Sequence, residues 1–220
     1  MDIEKKQNSK VYRFFDWLYK LLVMNVFTIM SIIPIITAYP AIVAMYATIK
    51  KDMKESGIFR IYFSNYKKYF LKSFFIGLII IASIAVVGFA FYFYSYAIPQ
   101  DIFNNVVFQM GVVVMLLLAI VIVMLCVHIP LVTITFNELS IMEVIRTSFY
   151  ISFRYFISTL ILFFMFVLAI IGTIALPIWF LFGVSLPTLI GIKFTSAVYY
   201  KFEQIDLESI LQHAEDDLDE

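Results

Sequence analysis

The chain has 220 residues, 63% of them hydrophobic and only 15% charged, and its formal net charge is zero. Soluble domains carry about 45–50% apolar and about 25% charged residues, so this composition excludes a water-soluble globule and makes lipid the solvent for much of the surface. The single cysteine, Cys126, excludes an intrachain disulfide and a cysteine-based metal centre.

The first apolar region is Val11–Ile49. Leu21–Thr37 is apolar enough to insert, but Pro34 and Pro40 interrupt it. It reads either as one span followed by an interfacial helix near Ala41–Ile49, or as a broken hairpin that enters and leaves on one side. Lys5, Lys6, Lys10, Arg13 and Lys20 favour an inside N-terminus, which a single span conflicts with. The basic, aromatic stretch Phe59–Lys72 follows and predicts a cytoplasmic amphipathic helix on anionic lipid, with Phe63, Tyr66 and Phe70 on its apolar side.

Three longer stretches then lack Asp, Glu, Lys and Arg. Ser73–Gln100 predicts one span, and its Phe91–Tyr96 end supplies an aromatic belt. Ile102–Asn137 predicts a second. Tyr155–Ile192 is too long for one crossing, since 38 residues would make a rod of about 57 Å against a hydrocarbon core of about 30 Å. Pro177, Gly183 and Pro187 divide it into a hairpin, about Phe156–Leu176 and Val184–Tyr200. The expected fold is an all-α polytopic membrane protein with about five transmembrane helices. Residues 1–206 form a single membrane domain, and 207–220 an acidic cytoplasmic tail.

Charge orients the chain. Lys50–Lys72 holds seven basic residues and Ala97–Asn105 none, while Glu138–Arg154 holds Arg146 and Arg154. Basic loops stay cytoplasmic, so the first, the third and the C-terminus are expected inside a cell membrane and Ala97–Asn105 outside.

The chain also repeats itself weakly. Ile33-Pro34-Ile35-Ile36-Thr37 returns as Ile129-Pro130-Leu131-Val132-Thr133, Arg60 as Arg146, and Lys68-Tyr69-Phe70 as Arg154-Tyr155-Phe156. The halves are about 11–97 and 106–200. Pro34 with Thr37, and Pro130 with Thr133, read as helix ends or hinges in which a hydroxyl satisfies a carbonyl freed by proline.

Asn25 through Tyr46 reads NVFTIMSIIPIITAYPAIVAMY. Asn25, Pro34, Thr37, Pro40, Ala44 and Tyr46 fall in register with the N-terminal signature of the YesL-type bacterial membrane proteins, which this stretch resembles. Tyr39 stands where that family usually has Gly, Thr28 where Trp is frequent, and Tyr69 where Asn is common before Phe. The resemblance implies a multispan membrane protein whose genes accompany oligosaccharide uptake and breakdown. It carries no activity.

Chemistry-bearing groups are sparse. His128 and His213 are isolated, Ser83, Ser158 and Ser185 have no partner by sequence, and no carboxylate sits mid-span in any predicted helix. His128 reads as a lone interfacial histidine, and no catalytic, metal or cofactor site is expected. The expected function is therefore that of a non-enzymatic accessory or regulatory component linked to oligosaccharide uptake. The alternative is a small transporter or channel subunit with a polar path through Asn25, Thr28, Ser31 and Thr37. Membrane lipids are expected partners, the resemblance adds a carbohydrate importer complex, and nucleic acid is not expected. The candidate contact surface is Arg60, Lys68, Tyr69, Arg146 and Arg154.

Overall fold

The computed structural model describes residues 10–52, 57–97, 106–175, 182–193, 195 and 200. The order is α1 (Lys10–Ile32), a 3-10 turn (Ile35–Thr37), α2 (Ala38–Asp52), α3 (Ile58–Tyr92), α4 (Val106–Thr135), α5 (Ile141–Arg154) and α6 (Phe156–Ala175). A π turn, Phe93–Ala97, extends α3, and a further helical stretch covers 185–193. No strand occurs among the described residues. The chain is an all-α, polytopic integral membrane protein.

Three helices are long and apolar enough to cross a bilayer: Val11–Ile32, Ile58–Tyr92 and Gln109–Thr135. Helices α5 and α6 meet at a 100° bend and make a fourth crossing if counted together. Of the expected last span, Val184–Tyr200, the part 185–193 is helical. Most of the rest lies outside the described residues, as do Pro177, the acidic tail and most of Ala97–Asn105.

The basic stretch Phe59–Lys72 is not a separate surface helix. It is the first part of α3, whose 35 residues make a rod of about 52 Å. Neither Gly nor Pro interrupts it before Gly77, so nothing stops the helix where the charges end. Gly57 starts it with φ 87°, a left-handed conformation that favours glycine.

Helix α2 differs more from expectation. Ala41–Ile49 does not lie on a lipid surface, because Pro40, Ala41 and Val43–Ile49 are all buried. It forms the axis of the core. Leu21 and Met24 of α1, Tyr62 and Ile76 of α3, and Ile129 and Val132 of α4 pack around it. It packs most extensively on α3. Gly77 allows the approach, since a Cβ there would lie 2.8 Å from Tyr39 Cβ. Lipid tails are as apolar as leucine, so such contacts, rather than expulsion of water, hold helices together in a membrane. The far halves of α3 and α4 expose Val86, Phe89, Leu116 and Leu117, as suits a lipid-facing surface.

The prolines have separate jobs. Pro34 sits in the break between α1 and α2 in an extended conformation and caps the 3-10 turn. Pro40 lies in the first turn of α2, where a missing N–H costs least. Pro130 is inside α4. Proline frees the carbonyl four residues back, yet Thr37 Oγ1 donates to the carbonyls of Ser31 and Pro34, both at 2.7 Å, and Thr133 Oγ1 to that of Ile129 at 2.7 Å. Each threonine stays with the chain turn beside its proline, but neither takes the acceptor that its proline frees.

Candidate functional site: a buried polar clamp and a basic end

Asn25 lies in α1 with no exposed surface. Its Oδ1 accepts hydrogen bonds from the backbone N–H of Val184 at 3.0 Å and of Ser185 at 3.2 Å. The first N–H groups of a helix have no partner within it. Asn25 therefore caps the stretch 185–193 from a residue nearly the whole chain away. Tyr46 of α2, also buried, is hydrogen-bonded to the side chain of Thr188, one turn further along. Thr188 Oγ1 in turn donates to the Val184 carbonyl at 2.7 Å. Two residues of the Asn25–Tyr46 motif thus hold one C-terminal segment.

Thr28 and Tyr62 of this region are bonded inside the protein, whereas the buried Ser185 Oγ has no hydrogen-bond partner among the described residues. Thr28 Oγ1 donates to the Met24 carbonyl at 2.8 Å. The Tyr62 hydroxyl donates to the Ala41 carbonyl at 3.4 Å and meets the side chains of Thr28 and Ser31. Phe27 packs against Phe59, Tyr62 and Phe63, with centroids 5.1, 6.0 and 5.8 Å away, and so ties α1 to the start of α3.

His128 is enclosed by the protein. It is fully buried, with Nε2 2.8 Å from Thr159 Oγ1 of α6, and Thr159 donates to the Ser152 carbonyl of α5 at 3.1 Å. The histidine thus ties α4 across the α5–α6 bend. Its chain neighbour Pro130 and the repeat residue Thr133 are likewise buried in α4.

At one end of the bundle the cations converge. Lys50 Nζ donates to Thr135 Oγ1 at 2.6 Å, and Lys72 Nζ to the Asn137 carbonyl at 3.2 Å. Lys68 Nζ lies over the Tyr69 ring, 5.1 Å from its centroid. The segment Lys50–Lys72 therefore meets the end of α4 just before Glu138–Arg154, and Lys72 lies near enough to Glu143 of that segment for their charges to interact. The π turn at the far end of α3 lies opposite, with Tyr94 packed on Gly111 of α4.

Of the candidate contact residues, Arg60, Lys68, Arg146 and Arg154 are exposed. Arg154 donates to the Tyr150 hydroxyl at 2.6 Å. Tyr69 does not belong to that surface: it is buried in a cluster with Val43 and Ala47. Its position on α3 points at α2, a contact that a sequence without α2's placement does not reveal. Ser140-Ile141-Met142-Glu143 is a helix-start signal that the sequence carries by itself. It forms a capping box, with Ser140 N–H on Glu143 Oε2 at 2.6 Å and Glu143 N–H on Ser140 Oγ at 3.4 Å. Among the described residues, no three His, Cys, Asp or Glu side chains are grouped to hold a metal ion.

Residues 18–93 match the family model described as "Protein of unknown function, DUF624". The match runs from the second half of α1 through α3. It contains Asn25 and Tyr46, the two residues that grip 184–188, but not the segment they grip. That part of the chain is similar to an uncharacterised domain family. No curated protein and no solved structure gives a match.

Proposed function

We propose that this membrane protein acts by contact, as a non-enzymatic accessory component of a larger membrane assembly. The observation that carries the reading is the pair of exposed basic and aromatic faces at one end of the bundle. Phe59, Arg60 and Lys68 lie on α3, and Arg146, Phe149, Phe153 and Arg154 on α5. A transporter needs a polar path, and three of its four candidates, Asn25, Thr28 and Thr37 but not Ser31, already spend hydrogen bonds on backbone groups of the protein itself. Arginine and aromatic residues are the side chains that dominate protein contacts. The YesL-type resemblance supplies the finer reading, that the assembly takes up oligosaccharides.

The test uses exposed residues only, because Tyr69→Ala would damage the core. Arg60→Ala with Lys68→Ala, and Arg146→Ala with Arg154→Ala, are expressed in the native host. Both pairs are expected to reach the membrane at normal levels. They should lose proteins co-purified in mild detergent and slow growth on oligosaccharides but not on glucose. Full partner recovery and normal growth with all four residues replaced would refute the contact reading.

A further inference from the structure

An apolar groove of about 750 Å³ runs between α2, α3, α4 and α6. On α4 its wall extends from Met115 to Pro130, about 22 Å of helix, inside the stretch Gln109–Thr135 that is long and apolar enough to cross a bilayer. The groove therefore lies at the depth of the hydrocarbon core. Its mouth is continuous with the lipid-facing surface, because Ile84, Gly88, Phe91 and Leu116 are both walls of the groove and exposed residues of α3 and α4. Its floor is enclosed, formed by the buried Tyr46, Val127 and Pro130. No charged side chain lines it among the described residues.

We infer that the groove binds one acyl chain of a membrane phospholipid, which enters sideways from the bilayer and is held by its hydrocarbon rather than its head group. The continuity of the mouth with the lipid-facing surface and the absence of charge select this occupant. Water needs about 2–4 polar partners per molecule. Apart from Tyr39, Tyr46 and Cys126, however, the lining side chains are hydrocarbon, and the Tyr46 hydroxyl is already bonded to Thr188. An empty groove would forfeit dispersion contacts on every wall. A helix, from a second copy or another protein, packs in a membrane through small residues that let backbones approach. Branched and aromatic side chains dominate here, and only Gly88, Ala119 and Cys126 are small. A flexible chain needs no such approach, and the volume is within the range of small-molecule sites, about 300–1,000 Å³. No bond is made or broken. The site stands apart from the partner-contact reading, since none of Arg60, Lys68, Arg146 and Arg154 lines the groove.

The test follows the chain itself. The purified full-length protein is delipidated in detergent and given phosphatidylcholine whose acyl chain carries a diazirine at mid-length, or phosphatidylglycerol with the same chain. After illumination, mass spectrometry maps the attachment sites. Labelling is expected to concentrate on Ile122, Cys126 and Phe163 in the groove, rather than on Val86, Leu117 and Leu168 of the open surface, and to be equal for the two head groups. Gly88→Leu fills the groove, and a Cβ at position 88 meets nothing within 4 Å. This variant is expected to keep the unfolding midpoint of the delipidated protein, to lose the lipid that native mass spectrometry finds on the native chain, and to lower labelling of the groove several-fold. Labelling spread evenly over groove and open surface would overturn the inference, and so would a strong preference for one head group. A folded Gly88→Leu protein that keeps its lipid and its labelling would also overturn it. Lipid-free dimers without labelling at Cys126 would do the same, by giving the groove to a second copy.

Discussion

Asn25 shows how one side chain can set the course of a distant segment. An amide is neutral, so it can enter the bundle without the cost of burying a charge. Its oxygen accepts from two N–H groups that the stretch 185–193 cannot satisfy itself. Asn25→Ala removes the acceptor and leaves those donors buried. The expected loss is about 1–3 kcal/mol, the cost of stranding a buried polar group. It should appear as a lower unfolding midpoint in detergent and as faster hydrogen exchange at the amides of Val184 and Ser185. Unchanged exchange at those two amides would show that the cap contributes nothing. Tyr46→Phe, which keeps the ring but loses the bond to Thr188, should cost less, about 0.5–1.5 kcal/mol.

At the level of elements, two glycines of α3 make opposite demands. Gly77 faces Tyr39 of α2, where an added methyl would be 2.8 Å from a rigid Cβ, whereas Gly88 has open space. Gly77→Ala should therefore destabilise by about 1–3 kcal/mol through overpacking, and Gly88→Ala should be neutral or gain up to about 1 kcal/mol from helix propensity. Thermal unfolding of the two variants side by side decides it, and equal effects would contradict the α2–α3 packing. Helix α5 makes a pH-dependent claim. The Ser140 backbone N–H, then the Ser140 side chain, hold the exposed Glu143 carboxyl below its ordinary value of 4.5. A lowered folded-state value means that the cap's contribution is fully present above about pH 4.5 and is lost as pH falls through that lowered value. Protection from hydrogen exchange at the start of α5, taken relative to the intrinsic rate at each pH, should fall below that point in the native chain and should be low at every pH in Glu143→Ala. Much of this level was legible in the residues. Charge-free runs located α3, α4 and α6, and Pro34 marked the α1–α2 break. The burial of α2 was not legible, because an apolar 15-residue helix reads the same whether lipid or protein covers it. The clamp was hidden for a different reason: Asn25 and Val184 are 159 positions apart, and no local pattern links them.

For the molecule as a whole, the repeat and the orientation rest on how the halves compare. The stretches aligned by Arg60 and Arg146 fold differently. Around Tyr69 the helix runs straight on, whereas at Tyr155 it turns by 100°. A duplicated origin would thus have been followed by divergence at this joint, where Tyr69 packs on α2. The two ends of the bundle are better determined. Lys50 bonds Thr135 and Lys72 bonds Asn137 at one end, while the tilted rings of Tyr92 and Tyr96 pack with centroids 5.1 Å apart near the other. The α3 rod of about 52 Å exceeds a hydrocarbon core of about 30 Å, so its two ends emerge on opposite sides of a membrane. Basic residues favour the cytoplasm and tyrosines the interfaces. We therefore predict that Arg60→Cys is reached by a thiol reagent only after the cells are opened, and that Tyr96→Cys is labelled on intact cells, both in a Cys126→Ala background. Arg60 and Tyr96 are both exposed, so failure to label cannot be ascribed to burial in the fold. Labelling of both positions from the same side would break the reading of α3 as a crossing helix. The inverse pattern would keep that helix and reverse the molecule, placing the basic end, and with it the surface proposed for partner contact, outside the cell.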